Sequence, residues 1–155
     1  MMDIASILSP EGVIVRCSAL NKRQVLQEIA KRAHDTIGIN ERDVLTALIE
    51  RERLGSTGVG KGVAYPHARF KQLTELTAIF VRLHTPVEFD SADGKPVDLL
   101  FALLAPEQGD ASNLRAMARV SRLLRNSHNC EKIRHAVTAD IIYSLLTAED
   151  AELDS

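Results

Sequence analysis

Apolar residues in the first third of the chain form one short β-type run, followed by two stretches in which they recur at helical spacing. Residues 13–15 are a β-branched run after a turn cluster, which predicts a strand. Apolar residues recur at helical spacing over residues 21–33 and again after Asn40. Asn40 is a preferred capping residue and Gly55 is a common stop, so a second helix is predicted between them. The apolar positions of the two helices are Val25, Leu26, Ile29, Ala33, Val44, Leu45, Leu48 and Ile49.

Two further apolar runs, at residues 76–83 and 97–104, are rich in β-forming residues and predict neighbouring strands. The Asp93-Gly94 pair between them is typical of a turn. The second run is apolar at nearly every position, which indicates a strand covered on both faces and therefore an α/β fold in layers. An acidic tail at residues 148–155 is expected to fray. Helical spacing places the remaining helices at residues 113–125, 130–136 and 139–146.

The composition is that of one globular domain spanning residues 1–155, with 45% hydrophobic and 26% charged residues and no apolar run long enough to insert in a membrane. A formal net charge of -2 and only 4% aromatic residues, without Trp, argue against a nucleic-acid partner. The amino terminus lacks the pattern of an export signal, so a cytoplasmic protein is expected. Cys17 and Cys130 are expected to be free thiols, and neither a metal site nor a cofactor is predicted, because no ligand spacing occurs.

Residues 55–69, GSTGVGKGVAYPHAR, combine a cluster of glycines with Ser56 and Thr57 ahead of a Pro66-His67 pair. Glycine tolerates backbone conformations that a side chain forbids, and such loops commonly bind anions. The loop begins with G-x-x-x-x-G-K-G, one residue short of the nucleotide-binding pattern. We reject that function because a glycine stands where the Mg²⁺-binding hydroxyl belongs and because a helix, not a strand, precedes the loop. The glycines are Gly55, Gly58, Gly60 and Gly62.

His67 is the candidate for chemistry in this loop. A neutral imidazole has one ring nitrogen with a free lone pair, so it can attack an electrophile. Pro66 fixes the backbone just before it and cannot donate a hydrogen bond. The pattern predicts a phosphohistidine site; the alternative is that His67 merely ends a strand in a turn. The upstream residues whose N–H and hydroxyl groups could support the phosphate are Ser56, Thr57, Gly58 and Gly60.

The segment RERLGSTGVGKGVAYPHA resembles the active-site segment of the enzyme IIA domains of the fructose/mannitol class in the bacterial phosphotransferase system. The family pattern is an acidic residue, a spacer, apolar-Gly, and then apolar-Ala-apolar-Pro-His followed by a small residue. Tyr65 departs from it, being aromatic where an aliphatic residue is preferred. The similarity continues through TPVEFDSADGKPVDLLFALLAP, which resembles the nitrogen-regulatory branch. The residues that fit the pattern are Glu52, Val59, Gly60, Val63, Ala64, Pro66, His67 and Ala68.

This resemblance implies a mixed β-sheet flanked by helices on both faces, a three-layer α/β/α arrangement. It also implies that His67 is phosphorylated by an HPr-like (NPr-like) histidine phosphocarrier, itself supplied by an upstream enzyme I. The family's arginine matches Arg51, which would place a guanidinium beside the phosphoryl group; by position alone, Arg51 would only complement the helix dipole. Many relatives have a second histidine where this chain has Asn113. Asn113 can hydrogen-bond a phosphate or cap a helix, but it cannot carry a proton.

Three functions remain open at this point. The leading one is a phosphoryl carrier, rather than a stand-alone turnover enzyme, whose phosphorylation state controls binding to protein targets such as transporters or sensor kinases. The second is a sugar-transport component that passes the phosphoryl group to a IIB domain. The third is an anion-binding interaction module that is never phosphorylated. Arg115, Arg119 and Arg122 line one helical face, which we interpret as a solvated stripe rather than a docking patch.

Overall fold

A six-stranded mixed sheet runs through the centre of the protein in a computed structural model that describes residues 3–108 and 111–152. Two single-turn 3-10 helices, Ile4–Ser6 and Pro10–Gly12, precede the first strand. The strands are β1 (Val13–Cys17), β2 (Gly58–Gly60), β3 (Val63–Ala64), β4 (His67–Phe70), β5 (Thr77–Val87) and β6 (Val97–Pro106). The helices are α1 (Lys22–Ile37), α2 (Glu41–Leu54), α3 (Ala111–Arg125), α4 (Ser127–His135) and α5 (Ala139–Glu152).

The strand order is β1-β5-β6-β3-β2, and β4 pairs with β6 beyond the end of β3. β5 and β6 are antiparallel neighbours, whereas β1 runs parallel to β5. β3 and β4 both run parallel to β6, and the short β2 closes the edge as an antiparallel partner of β3. β6 is therefore the strand that organises the half of the sheet that contains the glycine loop.

Helices cover both faces of the sheet and enclose two apolar cores. One core lies under α1 and α2, and the other lies under α3, α4 and α5. Nearly all of β6 is buried between them, which confirms the prediction of a strand covered on both faces and of a three-layer α/β fold. Cys17 belongs to the first core and Cys130 to the second, and both are free thiols, as predicted. Burial raises the pKa of both thiols.

The second helix begins and ends where local signals predicted, and the first begins as expected but is longer. Asn21 and Asn40 cap them, each through a side-chain oxygen that accepts a backbone N–H bond, from Gln24 at 2.9 Å in the first case. Gly38 ends α1 in a left-handed conformation, with φ of 73°, so this helix runs four residues past the predicted 33, to Ile37. Gly55 ends α2, as predicted.

Two expectations for the helical second half were wrong. The acidic tail does not fray up to residue 152, because α5 continues to that point and Asp150 is buried within it; residues 153–155 lie outside the described residues. Asp150 accepts the backbone N–H of Ile4 at 2.7 Å and pairs with Arg119. Arg119 therefore does not belong to a solvated stripe, since its partner is a buried carboxylate. Throughout residues 3–108 and 111–152, we find no helix with the length and apolar character needed to cross a bilayer.

Candidate functional site

His67 is the first residue of β4, which pairs with β6 beyond the end of β3. The chain follows β6 from β3 into β4, and the Pro66 carbonyl accepts the Leu103 N–H at 2.9 Å between them. The segment around β2 is hydrogen-bonded to this edge of the sheet as far as Tyr65, whose N–H donates to the Thr57 carbonyl at 3.0 Å. His67 pairs in register with Leu103, which packs in the core under α3, α4 and α5. The ring is therefore half-exposed on that face of the sheet edge.

The hydrogen bonds of the His67 ring define its tautomer. Nδ1 lies 2.9 Å from the carbonyl oxygen of Tyr65. A carbonyl oxygen can only accept, so Nδ1 must carry the proton and donate it. Nε2 is then the nitrogen with the free lone pair in the neutral ring. His67 follows Pro66 between the two strands, and its nucleophilic nitrogen is therefore Nε2.

Arg51 reaches this nitrogen from the last turn of α2. Its Nε donates to Nε2 of His67 at 3.2 Å, and its Nη1 donates to the Gly55 carbonyl at 2.8 Å. The second contact satisfies a carbonyl at the helix end, which is the structural role that the position of Arg51 suggested. The first contact places a fixed positive charge directly at the lone pair. Both expected roles of Arg51 are therefore compatible in one side-chain conformation.

Glu52 holds the loop that follows α2. Its side chain is 5% exposed and accepts the Thr57 backbone N–H at 3.2 and 3.3 Å, as well as the Thr57 hydroxyl. Lys22 from the start of α1 pairs with the same carboxylate at 3.0 Å, and its ammonium lies 4.6 Å from the centre of the Phe89 ring. A buried carboxylate needs such donors and a countercharge to remain ionised. Glu52 thereby joins α1, α2 and the loop next to the histidine.

The loop residues predicted to support a phosphate make contacts within the protein. The Ser56 hydroxyl donates to the Phe89 carbonyl and accepts the Gly58 N–H at 3.0 Å. Thr57 is buried and gives both of its donors to Glu52. Each hydroxyl has a single O–H, and both are engaged. In this conformation Ser56 and Thr57 therefore shape the loop, and a direct contact with phosphate stays a prediction.

Two of the loop glycines pack closely against residues 91–93. A Cβ at Gly58 would lie 2.3 Å from Oγ of Ser91, and one at Gly60 would lie 3.3 Å from a carboxylate oxygen of Asp93. Gly60 also has a φ of 105°, which strongly favours glycine. Close packing and backbone conformation account for these glycines without a ligand. Their proposed part in phosphate binding is untested.

Asn113 lies in the first turn of α3, which begins at Ala111. It is therefore inside the helix and not at the capping position, so the alternative in which it only caps the helix is wrong. Its Nδ2 is buried and has no hydrogen-bond partner within residues 3–108 and 111–152. α3 lies over the face of the sheet to which His67 belongs. An unsatisfied donor on this face remains available to an oxygen-rich group.

Sequence reasoning did not assign roles to Glu52, Lys22 or Phe89. Glu52 did carry a signal, since it is the acidic residue that begins the family pattern. Lys22 and Phe89 carried none, because each is far along the chain from the loop and contacts it only in the folded protein. Such long-range partners are visible only when the strands and helices are placed.

Comparisons with known proteins agree with this fold and site. A family model described as "Phosphoenolpyruvate-dependent sugar phosphotransferase system, EIIA 2" matches residues 6–149. A nitrogen regulatory protein of Bradyrhizobium diazoefficiens is 43% identical over 150 residues, which cover 97% of this chain and 98% of that protein. Nitrogen regulatory protein IIA-Ntr from Neisseria meningitidis superposes with a TM-score of 0.88 at 31% identity, covering 93% of this chain and 99% of that one. IIA mannitol from Escherichia coli, at 18% identity and a TM-score of 0.75 over 89% of this chain and 97% of that one, shares the fold.

A half-exposed histidine at the edge of a mixed sheet, with an arginine at its free nitrogen, thus occurs in an enzyme IIA fold of the mannitol type. The chain belongs to the EIIA 2 family of the phosphotransferase system, in its nitrogen-regulatory branch. This confirms the family to which the segment before and around His67 was assigned from sequence.

Proposed function

We propose that the protein is a phosphohistidine-carrying regulator of the nitrogen-related phosphotransferase system, acting in the cytoplasm. His67 accepts the phosphoryl group from an HPr-like phosphocarrier, which is supplied by an upstream enzyme I. The observation that carries this proposal is the ring geometry, in which Nδ1 is held by the Tyr65 carbonyl and Nε2 faces Arg51. The nitrogen-regulatory relatives support the regulatory role.

The transfer step uses the lone pair on Nε2 of His67. It attacks the phosphorus of the carrier's phosphohistidine, and the carrier's P–N bond breaks with its electron pair returning to the carrier's ring nitrogen. The proton on Nδ1 stays in its hydrogen bond with the Tyr65 carbonyl. The product ring therefore carries a proton on one nitrogen and the phosphoryl group on the other. In this mechanism the phosphoryl group is bonded to Nε2 of His67 and not to Nδ1.

Arg51 changes partner during this step. Before transfer its Nε–H donates to Nε2, and this lone pair is no longer available once phosphorus is bound. The same N–H then turns to a phosphoryl oxygen, because a guanidinium binds oxyanions with several donors. The bond from Nη1 to Gly55 keeps the guanidinium in place meanwhile. Removing one such positioned donor typically lowers a transfer rate by about 10²–10³-fold.

Exposed apolar side chains support binding to a protein partner that reads the phosphorylation state. Leu54, Val59 and Leu114 are large, exposed apolar side chains at the end of α2, in β2 and at the start of α3. Phosphorylation adds a charge of about -1.5 to -2 at neutral pH. A partner that binds this apolar surface and also contacts His67 would respond to the change of charge on transfer.

The test is to incubate the protein with phosphoenolpyruvate, enzyme I and the HPr-like phosphocarrier and to measure acid-labile phosphate. His67→Ala should abolish labelling while the melting temperature stays unchanged, and His128→Ala, at an exposed histidine on α4, serves as the control. NMR of the labelled protein should place phosphorus on Nε2. Labelling of His67→Ala, or phosphorus on Nδ1, would contradict the proposal.

The same preparation separates the two alternative functions. A sugar-transport component would pass the label on to a IIB domain at a rate comparable to that of its own phosphorylation, whereas a regulator would retain it. A module that only binds anions would take up no label at all. Targets of a regulator would copurify with one phosphorylation form and not with the other.

A further inference from the structure

A cavity lies beside the turn that joins β2 to β3, between this turn and α3. Its volume is about 240 Å³. Cavities for drug-sized ligands span about 300–1,000 Å³, so this one suits a smaller molecule. Val63 and Leu124 contribute apolar walls, and the polar lining comes from Lys61, Tyr65, Ser121 and Arg125.

Both cations of this cavity lack a carboxylate partner. Among residues 3–108 and 111–152, no ion pair involves the Lys61 ammonium or the Arg125 guanidinium. Of the acidic residues near this turn, Asp93 binds the backbone N–H of Lys61 at 2.9 Å. Asp98 is occupied in a two-point pair with Arg134, at 2.9 Å for each contact. Of the residues that the structure describes, the cavity lining therefore contains two cations and no carboxylate, and the Asp93 carboxylate lies next to it on the backbone of Lys61.

Lys61 occupies a backbone position that does not favour it. Its φ is 57°, in the left-handed region, and the following Gly62 has a φ of 80°. A two-residue hairpin turn with both φ values positive strongly favours Asn or Gly at its first position. A non-glycine residue in such a backbone conformation is a reason to look for a function. Here that residue is a lysine that lines the cavity.

Tyr65 supplies a hydroxyl at the inner end. Burial raises the pKa of its phenol, and a hydrogen bond with Ser121 and the charge of Arg125 oppose that rise. The phenol is thus protonated at neutral pH and can donate a hydrogen bond.

We propose that this cavity binds a small phosphate monoester with an apolar body. The guanidinium of Arg125 and the ammonium of Lys61 would bind the phosphate oxygens, together with the phenol of Tyr65, to which Ser121 donates its own hydroxyl. These donors exceed what the two oxygens of a carboxylate can accept. The apolar walls would hold the organic part. Tyr65 also supplies the carbonyl that holds His67, so the ligand would contact the residue that orients the histidine ring.

The experiment is an NMR titration of the whole ¹⁵N-labelled protein with phenyl phosphate. Amide signals of Lys61, Tyr65, Ser121 and Arg125 should shift together in a saturable manner. Arg125→Gln and Lys61→Gln should each raise the Kd by about 10-fold or more, as expected for lost charge-assisted hydrogen bonds. Arg122→Gln, on the same helix but outside the cavity, is the matched control and should leave the Kd unchanged.

An Arg51→Gln variant distinguishes binding in the cavity from binding at His67. In this variant the guanidinium at His67 is absent, and binding of phenyl phosphate should persist with the same Kd. Loss of binding in that variant would assign the ligand to the His67 site and overturn the proposal. Equal binding of benzoate, or equal weakening by Arg122→Gln and Arg125→Gln, would overturn it as well. The outcome does not depend on whether His67 is phosphorylated.

Discussion

Replacement of Glu52 by glutamine tests whether the buried carboxylate organises the loop next to His67. The amide keeps an oxygen that can accept the Thr57 N–H, so the shape of the side chain and its neutral hydrogen bonds are preserved. What is lost is the negative charge facing Lys22 at 3.0 Å. Lys22 keeps only a longer contact with Asp90 at 3.4 Å, and that carboxylate is largely exposed.

The magnitude follows from the exposure of the two partners. Losing a hydrogen bond between charged groups costs about 1.5–3 kcal/mol, and breaking a fully buried pair costs about 3–5 kcal/mol. The side chain of Glu52 is 5% exposed but that of Lys22 is 22% exposed, so water compensates part of the loss and the lower range applies. In a chain of this size each kcal/mol shifts the melting temperature by about 2–4 °C. The variant should therefore melt about 3–12 °C lower.

Thermal unfolding and single-turnover phosphorylation of His67 should be measured on the same samples. We expect the transfer rate to fall together with the melting temperature, because the loop held by Glu52 begins at Gly55, whose carbonyl accepts a hydrogen bond from Arg51. Lys22→Met and the double variant complete a cycle, in which the double variant should cost less than the sum of the two single changes. A Glu52→Gln protein with the wild-type melting temperature and transfer rate would refute this reasoning.

Three further predictions concern other parts of the structure. Gly58→Ala would place a methyl group 2.3 Å from Oγ of Ser91, and it should destabilise the fold by about 1–3 kcal/mol in urea unfolding, with partial recovery when Ser91→Gly is added. Asn113→Asp should slow phosphorylation of the histidine at low salt, by placing a negative charge near the incoming group. An unchanged rate at low salt would place Asn113 outside the site. Burial raises the pKa of the Cys17 and Cys130 thiols in the folded protein above their pKa in the unfolded chain. The contribution of the buried thiols to stability is therefore complete below the ordinary thiol pKa, and it is lost as the pH rises through the pKa of the folded protein. Both thiols should resist alkylation in the native protein at pH 8, and rapid labelling there would contradict this assignment.

The elements with local signals were predictable from sequence, and those that depend on distant partners were not. The cap at Asn40 and the stop at Gly55 act within one helical turn, so the residues themselves reveal them. The segment that became β2, β3 and β4 was interpreted mainly as a loop, because its strands are very short and are defined by pairing with β6 or with one another. Asp150 was assigned to a frayed tail, since its partner is the N–H of Ile4 at the other end of the chain.

The candidate site divides in the same way. The resemblance to enzyme IIA domains singled out His67 and Arg51, and the structure brings them within 3.2 Å. It could not reveal which ring nitrogen is free, because that depends on the carbonyl of Tyr65. Asn113 was left between two roles, and the start of α3 at Ala111 removes the capping role.

The pairing of β3 and β4 with β6 also bears on the synthesis of the protein. On a ribosome, His67 and Arg51 emerge well before β6, yet β6 is the strand beside which β4 is held. A nascent chain stopped before residue 97 would contain every residue of the His67–Arg51–Tyr65 arrangement without the strand that positions it. Under the proposed function, the ability to accept a phosphoryl group would thus be acquired only after β6 has been translated and has paired with its neighbours.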